Sequence, residues 1–314
     1  MNLNSKIFVA GHRGLVGSAI IRKLKSIGYN NIITKQKYFL DLTNQNQVED
    51  FFQHERPEYV FLSAAKVGGI GYNKSIPADF IRENLQIQTN VIDASYRNGC
   101  KKLLFLGSAC IYPKLSPVPI KEEYLMTGSL EETNIAYSLA KIAGYMMCKK
   151  YTEQYGMSTV SVMPNNLYGI NDNFIVDQCH VIPGFINKFI TAKEHNLPSV
   201  VCFGDGSPTR EFLFSDDLAD GLVFLMNHYN DPEIINIGPE REVSIKELSD
   251  IIINLVGYEG DIIWDTTKPN GTLRRALDIS KINNLGWKAK TTLEEGLKIT
   301  IEWFLTNRSN YVRI

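Results

Sequence analysis

Tyr137 and Lys141 stand four residues apart in Tyr137-Ser-Leu-Ala-Lys141, and on a helix that spacing puts a phenol and an ammonium on one face. A free phenol, with a pKa of roughly 10, is a poor acid or base at neutral pH, and a neighbouring ammonium favours the phenolate and draws it toward the working range. Ser108 closes an apolar run over 102–107 and offers a hydroxyl that can hydrogen-bond a carbonyl or alkoxide oxygen beside that phenol. These are groups suited to reversible ketone reduction. Tyr-x-x-x-Lys is also a common helix-surface pattern, so its meaning rests on the elements that position it.

Residues 6–10 read as a short apolar strand, followed at once by Gly11-His-Arg-Gly14-Leu-Val-Gly17 and a helical pattern running to Gly28. Strand, glycine turn and helix in that order make a phosphate site, because glycine backbone approaches a pyrophosphate closely and the helix N-terminus offers unpaired N–H groups. The next strand, 31–34, ends in Lys35-Gln36-Lys37. An NAD site is expected to carry Asp or Glu there, about twenty residues past the glycines, for the ribose 2′-hydroxyl. None is present. Lys35 and Lys37, with Arg13 in the glycine loop, can instead pair with a 2′-phosphate, so NADP(H) is expected over NAD(H); the competing reading makes the two lysines solvated loop charges.

Asp41-Leu42 and a helix over 44–54 lead to a buried strand at 59–64 and then to the glycine-rich loop Ala65-Lys-Val-Gly-Gly-Ile-Gly71. Lying outside the carboxyl end of a strand, this loop is expected to border the site, with a flexible connector as the alternative. A helix over 77–98, the strand ending in Ser108, an irregular loop over 112–133, the Tyr137 helix over 136–155 and a strand over 158–163 complete an alternation that predicts a Rossmann-type α/β fold, a doubly wound parallel sheet. Beyond Pro164 the pattern changes. A polar run to His180 precedes a helix over 182–192 and a strand over 200–203, and Arg210-Glu211-Phe-Leu-Phe-Ser-Asp216-Asp217 reads as a helix start with carboxylates at its N-cap. Residues 234–237 can return to the main sheet, while 244–256, 262–264 and 293–305 supply a smaller C-terminal α/β region. The expected division is a cofactor-binding Rossmann domain at 1–165 with a return segment at 212–238, and a substrate domain made of 166–211 and 239–314.

The 314 residues allow a large core plus a second region, and a net charge of -1 gives no general attraction for nucleic acid or anionic membrane, so the expected partner is a small molecule. The N-terminus resembles neither a secretory signal nor a transit peptide, and no apolar run approaches bilayer length. Cys100, Cys110, Cys148, Cys179 and Cys202 are odd in number and widely spaced, which suggests neither a disulfide framework nor a metal site and fits a reducing cytoplasm.

The glycines at 11, 14 and 17 with Ser108, Tyr137 and Lys141 are marks of the extended short-chain dehydrogenases/reductases, nucleotide-sugar enzymes with a Rossmann domain and a C-terminal substrate domain. More narrowly, Ala10-Gly-His-Arg-Gly, Ala65-Lys-Val-Gly-Gly-Ile, Leu106-Gly-Ser-Ala-Cys-Ile-Tyr-Pro-Lys114, Lys141-Ile-Ala-Gly, Pro164-Asn-Asn-Leu-Tyr-Gly and Arg210-Glu-Phe-Leu resemble the GDP-L-fucose synthase family of GDP-4-keto-6-deoxymannose 3,5-epimerase/4-reductases, over nearly the whole chain. The resemblance implies NADPH held by Gly11, His12, Arg13, Gly14, Leu15, Val16, Gly17, Lys35, Lys37, Asp41, Leu42, Ala64, Lys141, Pro164, Asn165, Asn166, Leu167 and His180. It further implies a reductase set of Ser108, Tyr137 and Lys141, and a proton-exchange pair, Cys110 and His180. A C4 ketone acidifies the hydrogens on C3 and C5, so epimerisation needs a base to remove each proton and an acid to return one on the opposite face. Apart from the resemblance, Cys110 also reads as a small buried hydrophobe and His180 as a hydrogen-bonded loop residue.

Dehydratases of the superfamily carry an acidic pair just after the Ser/Thr; here those places are Ala109 and Cys110, so no elimination is expected. UDP-hexose 4-epimerases share the Ser, Tyr and Lys but usually show the acidic NAD residue missing here. For a GDP-linked 4-keto sugar the implied contacts are Lys188, Phe203, Arg210, Asn270 and Arg275, where well-known bacterial members tend to have other residues except at Arg210. Two alternatives remain: a C4 reductase of a related GDP-linked keto sugar such as a heptose, without epimerisation, and a non-catalytic NADP-binding regulator. The family likeness also implies a homodimer through the helices over 77–98 and 136–155, joined as a four-helix bundle.

Overall fold

The computed structural model describes residues 1–175, 178–268 and 270–310. Its first half runs β1 (Ile7–Ala10), α1 (Leu15–Ser26), β2 (Ile32–Ile33), α2 (Gln45–Glu55), β3 (Tyr59–Leu62), α3 (Ile70–Ser75), α4 (Pro77–Arg97), β4 (Lys102–Leu106), α5 (Ile135–Tyr155) and β5 (Thr159–Pro164). There follow β6 (Asn166–Tyr168), α6 (Val181–Glu194), β7 (Ser199–Phe203), β8 (Thr209–Phe214), α7 (Ser215–His228) and β9 (Ile235–Ile237). The last part holds β10 (Glu242–Ser244), α8 (Ile245–Val256), β11 (Asp261–Asp265), β12 (Arg274–Arg275), α9 (Ser280–Asn284) and α10 (Leu293–Asn307).

The main sheet has the order β2-β1-β3-β4-β5-β9, with every pair parallel. Its strands are apolar on both faces because helices cover both. Ile7 and Val9 join Phe61, Leu104, Val160 and Ile235 in a core beneath α1 and α7, while Phe8 and Ala10 join Val60, Leu103 and Phe105 beneath α2, α4 and α5. The order reverses direction between β1 and β3, so the loops leaving these strands diverge and open a crevice where doubly wound sheets bind ligands.

The smaller region holds β10-β8-β12, with β6 also on β8, and a separate pair, β11 and β7. A third core built on Phe189, Phe212, Leu248, Leu297 and Phe304 sits beneath α6, α8 and α10. Here the structure corrects the sequence reading. Arg210 to Phe214 lie in β8, and the helix starts at Ser215 with Asp216 and Asp217 in its first turn rather than at its N-cap. The acidic pair marked a helix start correctly, but Phe212 and Phe214 are drawn into the third core as strand residues. Among the described residues no helix is long and apolar enough to cross a membrane.

Candidate active site

The turn after β1 is shaped by close backbone approach. Gly11 has φ +87°, a Cβ there would lie 2.8 Å from the backbone of Ala64, and a Cβ on Gly17 would lie 2.1 Å from the Gly11 carbonyl oxygen. Gly14 N–H donates to that same carbonyl at 3.0 Å and Gly14 serves as N-cap of α1. The first turn of α1 carries no acidic side chain, so its positive dipole end and free N–H groups, at Leu15 and Val16, are left for an anion. This cradle, which side chains would fill, fits a dinucleotide diphosphate. His12 lies within it, its pKa lowered by burial first and by Arg13 second.

Arg13 and Lys37 are exposed beyond the carboxyl ends of the adjacent strands β1 and β2. Lys35 is exposed too, but lies 3.6 Å from Glu55, which also holds Lys6 at 3.0 Å. Asp41 is occupied in a turn, accepting from Thr43 N–H at 3.0 Å and Oγ1 at 2.8 Å, and the Leu42 carbonyl accepts from Asn90 at 2.9 Å. Across the crevice, Pro164 pairs with Ile237 at the end of β5, and Leu167 sits half-buried in β6. Asn165 Nδ2 donates to Glu211 Oε2 at 2.9 Å, and Asn166 Nδ2 to the Glu211 carbonyl at 3.1 Å.

β4 delivers Ser108 in extended backbone, φ −165°, and its Oγ accepts from Cys110 N–H at 3.2 Å to start the 3-10 turn Ala109–Ile111. The Ser108 hydroxyl lies near enough to the Tyr137 phenol to lower its pKa. One helical turn beyond Tyr137, Lys141 is buried; its Nζ donates to the Leu106 carbonyl at 2.7 Å and lies 5.8 Å from the centroid of the Tyr137 ring. Burial lowers the Lys141 ammonium to about 7. The expectation that this ammonium pulls the phenol down is corrected. Protein surrounding the Tyr137 hydroxyl raises its pKa by desolvation, the nearby Cys110 raises it further, and the Ser108 hydroxyl acts the other way. Lys141 is instead committed to a backbone carbonyl, with its charged form weakened by burial.

Cys110 sits on the same turn as Ser108, yet its environment differs from that of its neighbours. Ala109 and Ile111 join the core beneath α5, while Cys110 stays half-buried and accepts from Asn134 Nδ2 at 3.2 Å. His180 is the N-cap of α6 and makes no side-chain cap. The residue is exposed at the surface, while the surrounding protein lowers its pKa by desolvation. Just before it, the Gln178 carbonyl accepts from Gly69 N–H at 2.9 Å, tying the glycine-rich loop to the His180 segment.

The five expected substrate residues form two groups. Lys188 Nζ lies 5.6 Å from the centroid of Phe203, whose ring is 68% exposed and so available for stacking, and Lys268 Nζ approaches the same ring at 6.0 Å. Asn270 Oδ1 accepts from Asp205 N–H at 3.1 Å in the turn after that strand. Arg210 and Arg275 are register partners on β8 and β12. The Arg210 guanidinium has its pKa lowered by burial and then by Arg275, as two neighbouring cations require. Arg275 Nη2 also donates to the carbonyls of Ala109, at 2.6 Å, and Tyr112, at 3.2 Å, so it grips the turn that carries Cys110.

Sequence reasoning missed three residues of this site. Asn134 lies in a loop that shows only as irregular. Glu211, 4% exposed, joins Asn165 to the Leu277 N–H, also at 2.9 Å, and burial pushes its carboxyl up to about 7. Lys268 joins Phe203 only through the fold. Only Glu211 carried a signal, as an acidic residue within an apolar run. Among the described residues no cluster of His, Cys, Asp and Glu could hold a metal ion.

An open parallel sheet with a glycine turn at its switch point and a Ser-Tyr-Lys set at the next strand ends defines a Rossmann-type oxidoreductase site. The sequence profile of the NAD dependent epimerase/dehydratase family matches residues 7–238. The chain is 55% identical to a putative GDP-L-fucose synthase 2 from Arabidopsis thaliana, over 97% of this chain and 93% of the relative. Among solved structures it resembles a GDP-mannoheptose C4 reductase from Campylobacter jejuni with NADP bound, at TM-score 0.90 and 41% identity over 97% of this chain and 99% of that one. It also resembles a GDP-L-fucose synthetase from Naegleria fowleri bound to NADP, at TM-score 0.92 and 29% identity over 98% and 96%. The chain belongs to the extended short-chain dehydrogenases/reductases and, within them, to the GDP-4-keto-6-deoxymannose epimerase/reductase family that includes the GDP-L-fucose synthases.

Proposed function

We propose that this enzyme converts GDP-4-keto-6-deoxymannose to GDP-L-fucose, by epimerisation at C3 and C5 and NADPH-dependent reduction at C4. The observation that carries the reading is the convergence of Ser108, just past the end of β4, on Tyr137 of α5, close enough to lower its pKa, with Cys110 on the Ser108 turn and Lys141 one turn along α5. NADP(H) is the cofactor, and a GDP-linked 4-keto sugar the substrate.

The glycine cradle of 11–17 holds the diphosphate, Arg13 and Lys37 meet the 2′-phosphate, and the remaining cofactor contacts come from Asp41, Leu42, Ala64 and 164–167. NADPH, when bound, supplies the hydride for C4. Tyr137 gives its proton to the C4 oxygen while Ser108 holds that oxygen. The buried phenol is protonated at neutral pH and so carries the proton this step needs, and the Ser108 hydroxyl is the neighbour that acts to lower its pKa. Lys141 orients the ribose beside Tyr137. Cys110 and His180 remove and return the C3 and C5 protons; a His180 with lowered pKa is neutral at pH 7 and available as base. Arg210 and Arg275 meet the diphosphate, and Lys188, Phe203 and Asn270 the guanosine end.

The units proposed are 1–165 with 212–238 for the cofactor and 166–211 with 239–314 for the sugar nucleotide, supported by the separation of the sheets. A homodimer through α4 and α5 is supported by exposed apolar groups on these helices, including Leu139, Tyr96 and Tyr155, the last two stacked at 4.4 Å. A cytoplasmic location is supported by the odd number and wide spacing of the five cysteines.

The second reading, a C4 reductase of a GDP-linked heptose, draws on the likeness to the Campylobacter enzyme. Incubation with NADPH and GDP-4-keto-6-deoxymannose in D2O separates the two. Deuterium at both C3 and C5 of a GDP-L-fucose product is expected; reduction with both positions unlabelled overturns the epimerase half.

A further inference from the structure

Both residues of the proton-exchange pair are held from one short segment, Gly68 to Ser75, where β3 leads into α3. On one side, α3 packs against the 3-10 turn Glu132–Asn134, and Asn134 Nδ2 donates to Cys110 Sγ at 3.2 Å. Asn134 is the N-cap residue of α5, a place where an Asn side chain ordinarily accepts from the N–H groups of the first turn. It makes no such cap. Its Oδ1 accepts from Ser138 Oγ at 3.4 Å in the first turn of α5, and its Nδ2 is left to donate to the sulfur.

On the other side, Gly69 N–H donates to the Gln178 carbonyl at 2.9 Å, two residues before His180. A Cβ on Gly69 would lie 2.5 Å from the Cys179 carbonyl oxygen. The Gly69 backbone, φ −64° and ψ 174°, is one that any residue adopts, so glycine is demanded here by closeness to the His180 segment and not by conformation. Buried Asn73 fixes the turn by donating to the carbonyls of Gly68, at 2.7 Å, and Gly69, at 3.1 Å. The direct supports of the reductase set lie elsewhere: Ser108 starts the 3-10 turn just past β4, and Lys141 bonds the Leu106 carbonyl. The Phe80 ring stands edge-on to both Tyr72 of α3 and Tyr137.

We propose that the Gly68–Ser75 segment is a positioning element for proton transfer at C3 and C5, setting Cys110 through Asn134 and His180 through the 178–179 backbone, and that it contributes little to hydride transfer at C4. The inference rests on the epimerase reading above. It assigns Gly69, Asn73 and Asn134 as positioning residues that touch neither sugar nor cofactor.

Gly69→Ala is the test, because its methyl group introduces no backbone strain yet must displace the Cys179 carbonyl by about half an ångström to reach 3.0 Å. Two rates are measured on the intact enzyme: deuterium uptake from D2O into C3 and C5 of GDP-4-keto-6-deoxymannose with NADP+ present, and hydride transfer from GDP-L-fucose to NADP+, whose first step needs no epimerisation. The expected result is at least a tenfold loss of uptake, in line with the cost of misplacing a catalytic group by a fraction of an ångström to an ångström, with hydride transfer within about threefold of wild type. Asn134→Asp, near in size but without the amide donor, should show the same split and serves if the alanine variant does not fold. Unchanged uptake, or equal loss of both rates, in the folded variants overturns the inference while the epimerase reading stands. A wild type without uptake, or one whose uptake survives Cys110→Ser and His180→Gln, sinks that reading and the inference with it.

Discussion

Glu211→Gln tests the electrostatics of the joint between the main sheet and the smaller region. The wild-type carboxyl is buried, accepts two N–H bonds on Oε2, and is pushed from its ordinary 4.5 up to about 7, burial outweighing the bonds from Leu277 and Asn165. Because the folded state then holds the proton more tightly than the unfolded chain, this group contributes stability that is fully present below about pH 4.5 and lost as pH rises through about 7. At about 1.4 kcal/mol per pKa step, the loss amounts to roughly 3 kcal/mol. Glutamine keeps the shape and a carbonyl acceptor but does not titrate. Urea unfolding of both proteins at several pH values between about 5 and 8 should therefore show the variant gaining on wild type by about 2–3 kcal/mol as pH rises. Asp172, which burial also pushes up to about 7, is present in both and cancels. Parallel curves, or a wild type that gains on the variant as pH rises, would refute the raised carboxyl pKa.

Tyr137→Phe should lower ketone reduction by about 10²–10⁴-fold, the usual worth of a positioned proton donor, while fluorescence titration finds NADPH still bound with nearly wild-type affinity. Gly17→Ala sets a methyl group 2.1 Å from the Gly11 carbonyl, so the turn must open. Calorimetric titration should show NADPH Kd weakened at least tenfold, about 1.4 kcal/mol or more.

The parallel sheet was legible because β1, β3, β4 and β5 are short apolar runs separated by helices, a pattern that only a doubly covered sheet accommodates. The glycine turn was legible for the same local reason. What escaped was set by distant partners. β6 and β12 are too short to show a period, and exist because β8 gives them a partner. α3 is a single short helix begun inside a glycine-rich loop, with no room for an amphipathic stripe. The spacing of Tyr137 and Lys141 correctly placed both on α5, but it could not show that the ammonium would bond the Leu106 carbonyl or that burial would dominate the phenol. Asn134, at the N-cap position of α5, donates to a thiol that only the fold brings beside it.

β9 completes the main sheet only after the chain has left it, built β6, α6, β7 and β8, and come back through α7, which lies over α1. A chimera joined once at Pro164 would therefore inherit one edge strand of its main sheet and one outer helix from the foreign parent. Trading one sugar specificity for another needs at least two splice points, one on each side of α7 and β9, and recombination should preserve this outgoing and returning thread as a unit.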